Sequence, residues 1–241
     1  MSRRLVAPSI PKETREAEIR DGCRLARKYG FAAFYTSSPY WSPIVARELA
    51  GTRIEVGTGI AFPFGSQTPS TKAFETEEAV RLGCTAVDLV MNVGALKDRN
   101  HATIREELAG FVKAAGSAVT KCILEVCYLT HDEIAAACGM VAEAGVAFAK
   151  TSSGQFEGPT LEQFLVMKEA LAGTPVKLKV AGVKFPRPQN AYVFLLAGAD
   201  RLGTRAAPEI VDALDTVRRI GLIPGRASSE RDSEAPAGRA R

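Results

Sequence analysis

Histidine is almost absent: His101 and His131 are the only two in 241 residues. A histidine-built metal centre draws several ligands together, so none is expected here. The five cysteines, Cys23, Cys84, Cys122, Cys127 and Cys138, are odd in number and no two are spaced C-x-x-C. That argues against a disulfide framework and against a zinc site. Neither G-x-G-x-x-G nor G-x-x-x-x-G-K-S/T occurs, so nothing supports a nucleotide-binding fold. No cofactor and no metal are expected. No apolar run approaches the ~20 residues needed to cross a membrane, and the first residues, MSRRLVAPSIPKE, lack the long apolar segment of a signal peptide. The formal charge of +4 is mild, and no Lys/Arg stripe carries interleaved aromatics. Nucleic acid and membrane are therefore not expected partners, and the expectation is a soluble cytoplasmic protein.

What is present is enough apolar material for a substantial core, at 46% hydrophobic residues. Four segments share one pattern, a polar–apolar helix, a glycine and a short apolar strand: RLARKYGFAAFYTS, EEAVRLGCTAVDLVMN, MVAEAGVAFAKTSSG and FLLAGADRLGT. Their glycines, Gly30, Gly83, Gly145 and Gly198, are where a helix would close in the left-handed conformation. Further strand candidates lie between them: RIEVGTGIAF (53–62), KCILEV (121–126), VKLKVAG (176–182) and, more weakly, RLVAP (4–8). Thr130 and Glu133 fit a capping box, and Pro208 suits a first helical turn. Alternating strands and helices argue for a parallel sheet with right-handed crossovers. Eight units of about 30 residues fill the chain, the arithmetic of a single-domain α/β protein with a (β/α)8 barrel over 1–225. An open doubly wound sheet is the alternative. The tail RASSERDSEAPAGRAR (226–241) has little to bury and reads as disordered.

Active sites of such barrels sit at the C-terminal ends of the strands. That rule selects Lys150, ending VAFAK, Asp88 within AVDLVMN, Glu125, ending KCILE, and Lys179, ending VKLK. Each has an ordinary reading: a strand-end lysine is usually solvated, a strand aspartate often serves a backbone amide, and Glu125 would neutralise a lysine. Together they suit amine catalysis, in which a neutral lysine adds to a carbonyl and the resulting Schiff base acts as an electron sink. A lysine with the ordinary pKa of ~10.4 is almost wholly protonated at pH 7. A second ammonium or burial disfavours the charged form, and Lys179 is the candidate for that second charge. Asp88 and Lys179 would shuttle protons. The Thr151–Gly154 turn, with Thr151, Ser153 and Gly154, offers hydroxyls and amides to an oxygen-rich substrate.

Several motifs resemble the deoxyribose-phosphate aldolase family over residues 5 to 215. AVDLVMNVGALK is similar to its V-D-M-V-x-N-x-G-A-L segment, ILEVCYLTHDEI to I-L-E-T-x-x-L-T-D-E-E-I, and AGVAFAKTSSG to A-G-A-D-F-V-K-T-S-T-G. AFPFGSQTPSTKAFETEEAV resembles the G-F-P-x-G loop and its helix, and LKVAGVKF the V-K-A-S-G-G-x-R segment. The resemblance implies a TIM barrel and a metal-free class I aldol reaction in carbohydrate metabolism. It places Lys150 on the Schiff-base lysine, Asp88 on the proton-relay aspartate and Lys179 on the second catalytic lysine, with Lys184 as a rival. The substrate implied is a small aldehyde or sugar-like molecule, and a homodimer is a candidate assembly. The departures fall on the phosphate grip. Gly182 and Gly203 remain, but Val183 stands where a second glycine is usual. KFPRPQN adds two prolines that lack amide donors, and GTRAAP puts Arg205, Ala206 and Ala207 in place of small hydroxyl residues. Tyr35 replaces a small residue, and the first strand reads RRLVAP rather than an Asp-His-Thr-like segment. The reading is an aldolase with a rewritten acceptor site, in which Arg205 contacts any substrate anion. An ordinary deoxyribose-phosphate aldolase and a catalytically silent barrel used for binding are the alternatives.

Overall fold

The computed structural model describes residues 1–9, 11–185, 187–221 and 223. Tail residues 226–241 lie outside the described residues. Eight strands close into one parallel barrel in sequence order. They are β1 (Leu5–Ser9), β2 (Ala33–Thr36), β3 (Glu55–Ile60), β4 (Ala86–Val90), β5 (Val119–Ile123), β6 (Phe148–Lys150), β7 (Lys177–Ala181) and β8 (Arg201–Gly203). β1 pairs with β2 on one side and β8 on the other, so no edge is left open. Strands covered on both faces should read as apolar runs rather than alternations, and AVDLV in β4 is buried at all five positions.

Around the barrel run α1 (Glu16–Tyr29), α2 (Ser42–Glu48), α3 (Pro69–Arg81), α4 (Val93–Lys97), α5 (His101–Ala115), α6 (His131–Glu143), α7 (Leu161–Ala170), α8 (Arg187–Ala197), α9 (Ala207–Asp212) and α10 (Leu214–Arg219). α1 buries Ile19, Cys23 and Ala26, one stripe at helical spacing. It ends at Gly30 with φ 62° and ψ 45°, the left-handed cap anticipated from the helix–glycine–strand repeat. α6 starts with the expected reciprocal cap. Thr130 N donates to Glu133 Oε2 at 2.8 Å and Glu133 N donates to Thr130 Oγ1 at 3.3 Å. α7 has a second capping box, between Thr160 and Gln163. No described helix is long and apolar enough to cross a membrane.

The strand bounds shift one inference. β5 is Val119–Ile123, so Glu125 lies beyond the strand, in a left-handed conformation at φ 55°. The main apolar core lies between the sheet and the helices. Buried charged side chains, Asp88, Lys121, Lys150 and Lys179, gather on the barrel's inner side, beside a small separate apolar cluster of Val6, Ala33, Tyr35 and Ala86.

β4 is held at its C-terminal end by a buried ion pair. Lys72 of α3 donates to Val90 O at 2.9 Å and pairs with Glu107 of α5, whose other oxygen accepts from Asn92 N at 3.1 Å. Both side chains are fully buried. Removing one partner strands the other charge, whereas replacing both with apolar groups removes the desolvation cost as well. We predict that Lys72→Met destabilises the fold by about 3–5 kcal/mol, and that adding Glu107→Leu recovers most of the loss. Chemical denaturation of the single and double variants measures both.

Candidate active site

Register brings the site together before any loop contributes. Asp88 on β4 sits opposite Lys121 on β5, and Lys150 on β6 sits opposite Lys179 on β7. Paired residues of parallel neighbours face the same side of the sheet, which here is the barrel's interior. Lys150 Nζ donates to Asp88 Oδ2 at 2.8 Å, and Lys179 Nζ donates to the same oxygen at 2.6 Å. Lys121 Nζ stands 3.6 Å from the other oxygen, Oδ1. One carboxylate therefore faces three amines.

The cluster continues downward. Lys121 Nζ donates to Tyr35 Oη at 2.6 Å and lies 3.6 Å from Glu55. Arg201 of β8 grips Glu55 with two bonds of 2.5 and 2.6 Å. Such a fork on a carboxylate is the strong form of an ion pair.

Burial sets the electrostatics. It alone would raise the Asp88 pKa, but Lys150, Lys179 and Lys121 outweigh it and hold the carboxyl far below the usual range. Burial pushes the Lys179 pKa well down; Asp88 opposes this, and the like charges of Lys150 and Lys121 add to it. Lys121 is pushed down by burial too, against Asp88 and Glu55. Asp88 is thus a fixed anion, while Lys179 is the group poised to give up its proton.

Above the cluster lies a cavity of about 280 Å³ whose lining includes Asp88, Lys150 and Lys179. Of the three lysines, Lys150 is the most accessible, its side chain 8% exposed against 2% for Lys179 and 0% for Lys121. Ser153, Gly154, Gly182, Gly203 and Arg205, read from the sequence as substrate contacts, also line it. Thr151 does not. Its hydroxyl donates to Ala181 O at 3.3 Å and accepts from Ala181 N at 3.1 Å, joining the loop after β6 to β7. Lys184 reaches the rim only, where it pairs with exposed Glu157 at 2.6 Å. The geometry therefore associates Lys179, not Lys184, with Asp88.

Glu125 corrects its sequence reading. Among the described residues it forms no ion pair with a lysine; instead its Oε1 accepts from Ser153 N at 2.9 Å, bracing the loop after β6. Burial pushes its pKa up, and Ser153 counters the rise. Sequence reasoning missed Lys121 as a site member and named Tyr35 only as a departure. The signal for Lys121 was a charged residue inside the apolar strand VTKCI. Among the described residues no group of three or more His, Cys, Asp or Glu is arranged to hold a metal ion.

A closed parallel barrel with buried lysines at the strand ends is the build of an enzyme that works on carbonyls through an amine. A model of the DeoC/LacD family aldolases matches residues 43–229. The chain is 38% identical over 203 residues to deoxyribose-phosphate aldolase 1 of Mesoplasma florum, covering 84% of this chain and 91% of that protein. It is 35% identical over 204 residues to deoxyribose-phosphate aldolase of Bacillus subtilis, with coverage of 84% and 91%. Among solved structures, an aldolase designated QR15 superposes with a TM-score of 0.83 at 30% identity, covering 91% of this chain and 97% of that one. The chain belongs to the DeoC/LacD aldolase family. It is a class I aldolase, an aldehyde-lyase.

Removing the Asp88 charge would leave the lysines without their shared counterion. In Asp88→Asn the native state favours neutral Lys179 and Lys121 even more strongly than in wild type. Between their lowered native pKa values and the ordinary ~10.4, the unfolded state then binds more protons, so stability rises with pH. We predict that Asp88→Asn loses about 3 kcal/mol or more near pH 7 and regains part of it toward about pH 10, more steeply than wild type. Melting temperatures across that range report the effect.

Proposed function

We propose that the protein forms its Schiff base on Lys150, carries protons with Lys179 and Asp88, and accepts an aldehyde other than the usual sugar phosphate. One observation carries the catalytic part: a single oxygen of Asp88 binds both Lys150 and Lys179, and Lys150 is the amine nearest the open cavity. Neutral Lys150 adds to the carbonyl carbon of a small donor aldehyde. The carbinolamine loses water to give an iminium, which loses a proton from its α-carbon and becomes an enamine. The enamine carbon attacks the acceptor aldehyde, and water then hydrolyses the iminium and frees the amine. Every step requires protons to be given or taken. Lys179 suits the carrier, since burial lowers its affinity for protons, and Asp88 links it to Lys150.

The acceptor part rests on the rim. Phosphate sites of TIM barrels usually form from the loops after β7 and β8. Here those loops hold Lys184, Arg187 and Arg205. Lys184 is paired with Glu157, and the Arg187 guanidinium stacks 4.0 Å over the Phe185 ring. The Thr204 hydroxyl is occupied by Ala206 N at 3.1 Å. Phe62, Phe156 and Phe185 line the same cavity. This surface suits a carboxylate, which an arginine fork can grip, or an uncharged acceptor. The second reading, supported by the names of the relatives, is deoxyribose 5-phosphate itself, with Arg205 or Arg187 holding the phosphate.

Acetaldehyde with borohydride is expected to add a reduced two-carbon unit to Lys150, located by peptide mass spectrometry. An adduct on Lys179 or Lys184, or full labelling in Lys150→Ala, would refute the assignment. Asp88→Asn is expected to keep labelling but slow turnover by roughly 10²-fold or more.

The acceptor is tested by kcat/KM. Weak activity is expected on deoxyribose 5-phosphate and better activity on carboxylate-bearing or neutral acceptors. A value of ~10⁴ M⁻¹s⁻¹ or more on deoxyribose 5-phosphate would favour the second reading. Arg205→Ala should lower kcat/KM for an anionic acceptor and leave a neutral one unchanged. No effect on any substrate would remove Arg205 from the site.

A further inference from the structure

Tyr35 is a large residue in a crowded place. It sits on β2 opposite Gly57 of β3, is 5% exposed and lines the catalytic cavity. Its ring occupies the space a side chain on Gly57 would need: a Cβ there would lie 2.3 Å from ring carbons. The ring is therefore fixed by its seat as well as by the strand.

Two cationic groups meet this one side chain from different directions. Lys179 Nζ stands 4.1 Å from the ring centroid, over the face that attracts cations. Lys121 Nζ donates to the hydroxyl at 2.6 Å. The Asp88 carboxylate is close as well. Burial, then Asp88 and Glu55, raise the phenol's pKa, so the hydroxyl remains protonated. Asp88 Oδ1 has no hydrogen-bond partner among the described residues.

We propose that Tyr35 is a positioning residue of the aldol site, its ring seating Lys179 and its hydroxyl seating Lys121, so that it governs which buried amines carry protons. The proposal rests on the reading of Lys179 as proton carrier. The other groups acting on these amines are Asp88 from β4, Lys150 from β6, Glu55 from β3, Arg201 from β8 and the Phe148 ring below Lys121. None of them touches both Lys179 and Lys121 through a neutral surface. Tyr35 supports both positive charges without adding a negative one. A carboxylate in its place would hold both amines protonated, and an aliphatic residue would support neither.

The ring and the hydroxyl separate by substitution. Tyr35→Phe keeps the ring over Lys179 and deletes the acceptor of Lys121; Tyr35→Leu deletes both. Protein carrying 13Cε-labelled lysine, with Lys121→Met and Lys179→Met for assignment, gives each amine's titration midpoint by NMR. In Tyr35→Phe the Lys121 midpoint is expected to fall by about one pH unit, the scale of a lost hydrogen bond to a charged group. The Lys179 midpoint is expected to be lower in Tyr35→Leu than in Tyr35→Phe by about half to one pH unit, the scale of a cation–π contact. The pH profile of kcat for acetaldehyde condensation should move in the same direction as Lys179, with acceptor KM within about twofold.

Wild-type midpoints for both lysines in Tyr35→Phe and Tyr35→Leu would overturn the proposal, as would a lowered melting temperature with unmoved titrations. The titrations need no turnover. A failure of acetaldehyde to label wild-type Lys150 would refute the catalytic reading on its own, and the lysine midpoints would still decide the role of Tyr35.

Discussion

The site depends on a shortage of negative charge. Inside the barrel four cationic side chains, Lys121, Lys150, Lys179 and Arg201, face two carboxylates, Asp88 and Glu55. Glu55 is held by Arg201 through two bonds and shares Lys121 with Asp88, so Asp88 is left as the counterion of Lys150 and Lys179. Buried charges that lack full partners shed protons rather than persist. Burial and the like charges around them lower the proton affinity of Lys179 and Lys121, because more lysines are held together than the carboxylates can fully partner. A single extra acid at this level would remove the effect. Glu125, beyond the end of β5, turns its carboxylate to Ser153 instead.

The interior charges also explain why the barrel's stability lies elsewhere. Most TIM-barrel interiors are layers of branched apolar side chains. Here the apolar core sits outside the sheet, and the helices do more of the work. The pair of Lys72 and Glu107 ties α3 and α5 to the end of β4, the strand that carries Asp88. The loops after β6 and β7 are joined too. Gly158 approaches Gly182 so closely that a Cβ would lie 1.8 Å from the Gly182 oxygen. The loop after the proposed imine lysine and the loop facing the acceptor therefore bound the cavity as a single wall.

Much of this could be read from the sequence because it is local. Helix, glycine and strand recur with short spacing, and the caps at Gly30 and Thr130 are set by neighbouring residues. Asp88, Lys150 and Lys179 stood out as charges inside or at the end of apolar runs. What could not be read depends on register. Whether Lys121 points inward follows from its pairing with Asp88 across β4 and β5, and the Tyr35 ring fits only because Gly57 lies opposite on β3. Glu125 was misread because β5 ends two residues earlier and the backbone then turns left-handed. Thr151 was read as a substrate contact, and its hydroxyl is engaged by Ala181 of β7.

The Glu55–Arg201 fork divides the barrel lengthwise. It belongs to a separate cavity of about 460 Å³ at the opposite end, also lined by Arg3, Arg27 and Arg53, while Lys150 and Lys179 open only to the upper cavity among those described. With the imine on Lys150, as proposed, donor and acceptor share one mouth with the amine at its foot, and the donor has to arrive first, since an acceptor lodged in the passage bars the way to Lys150. The expected kinetic scheme is compulsory-order addition, with an excess of acceptor inhibiting the enzyme in competition with donor.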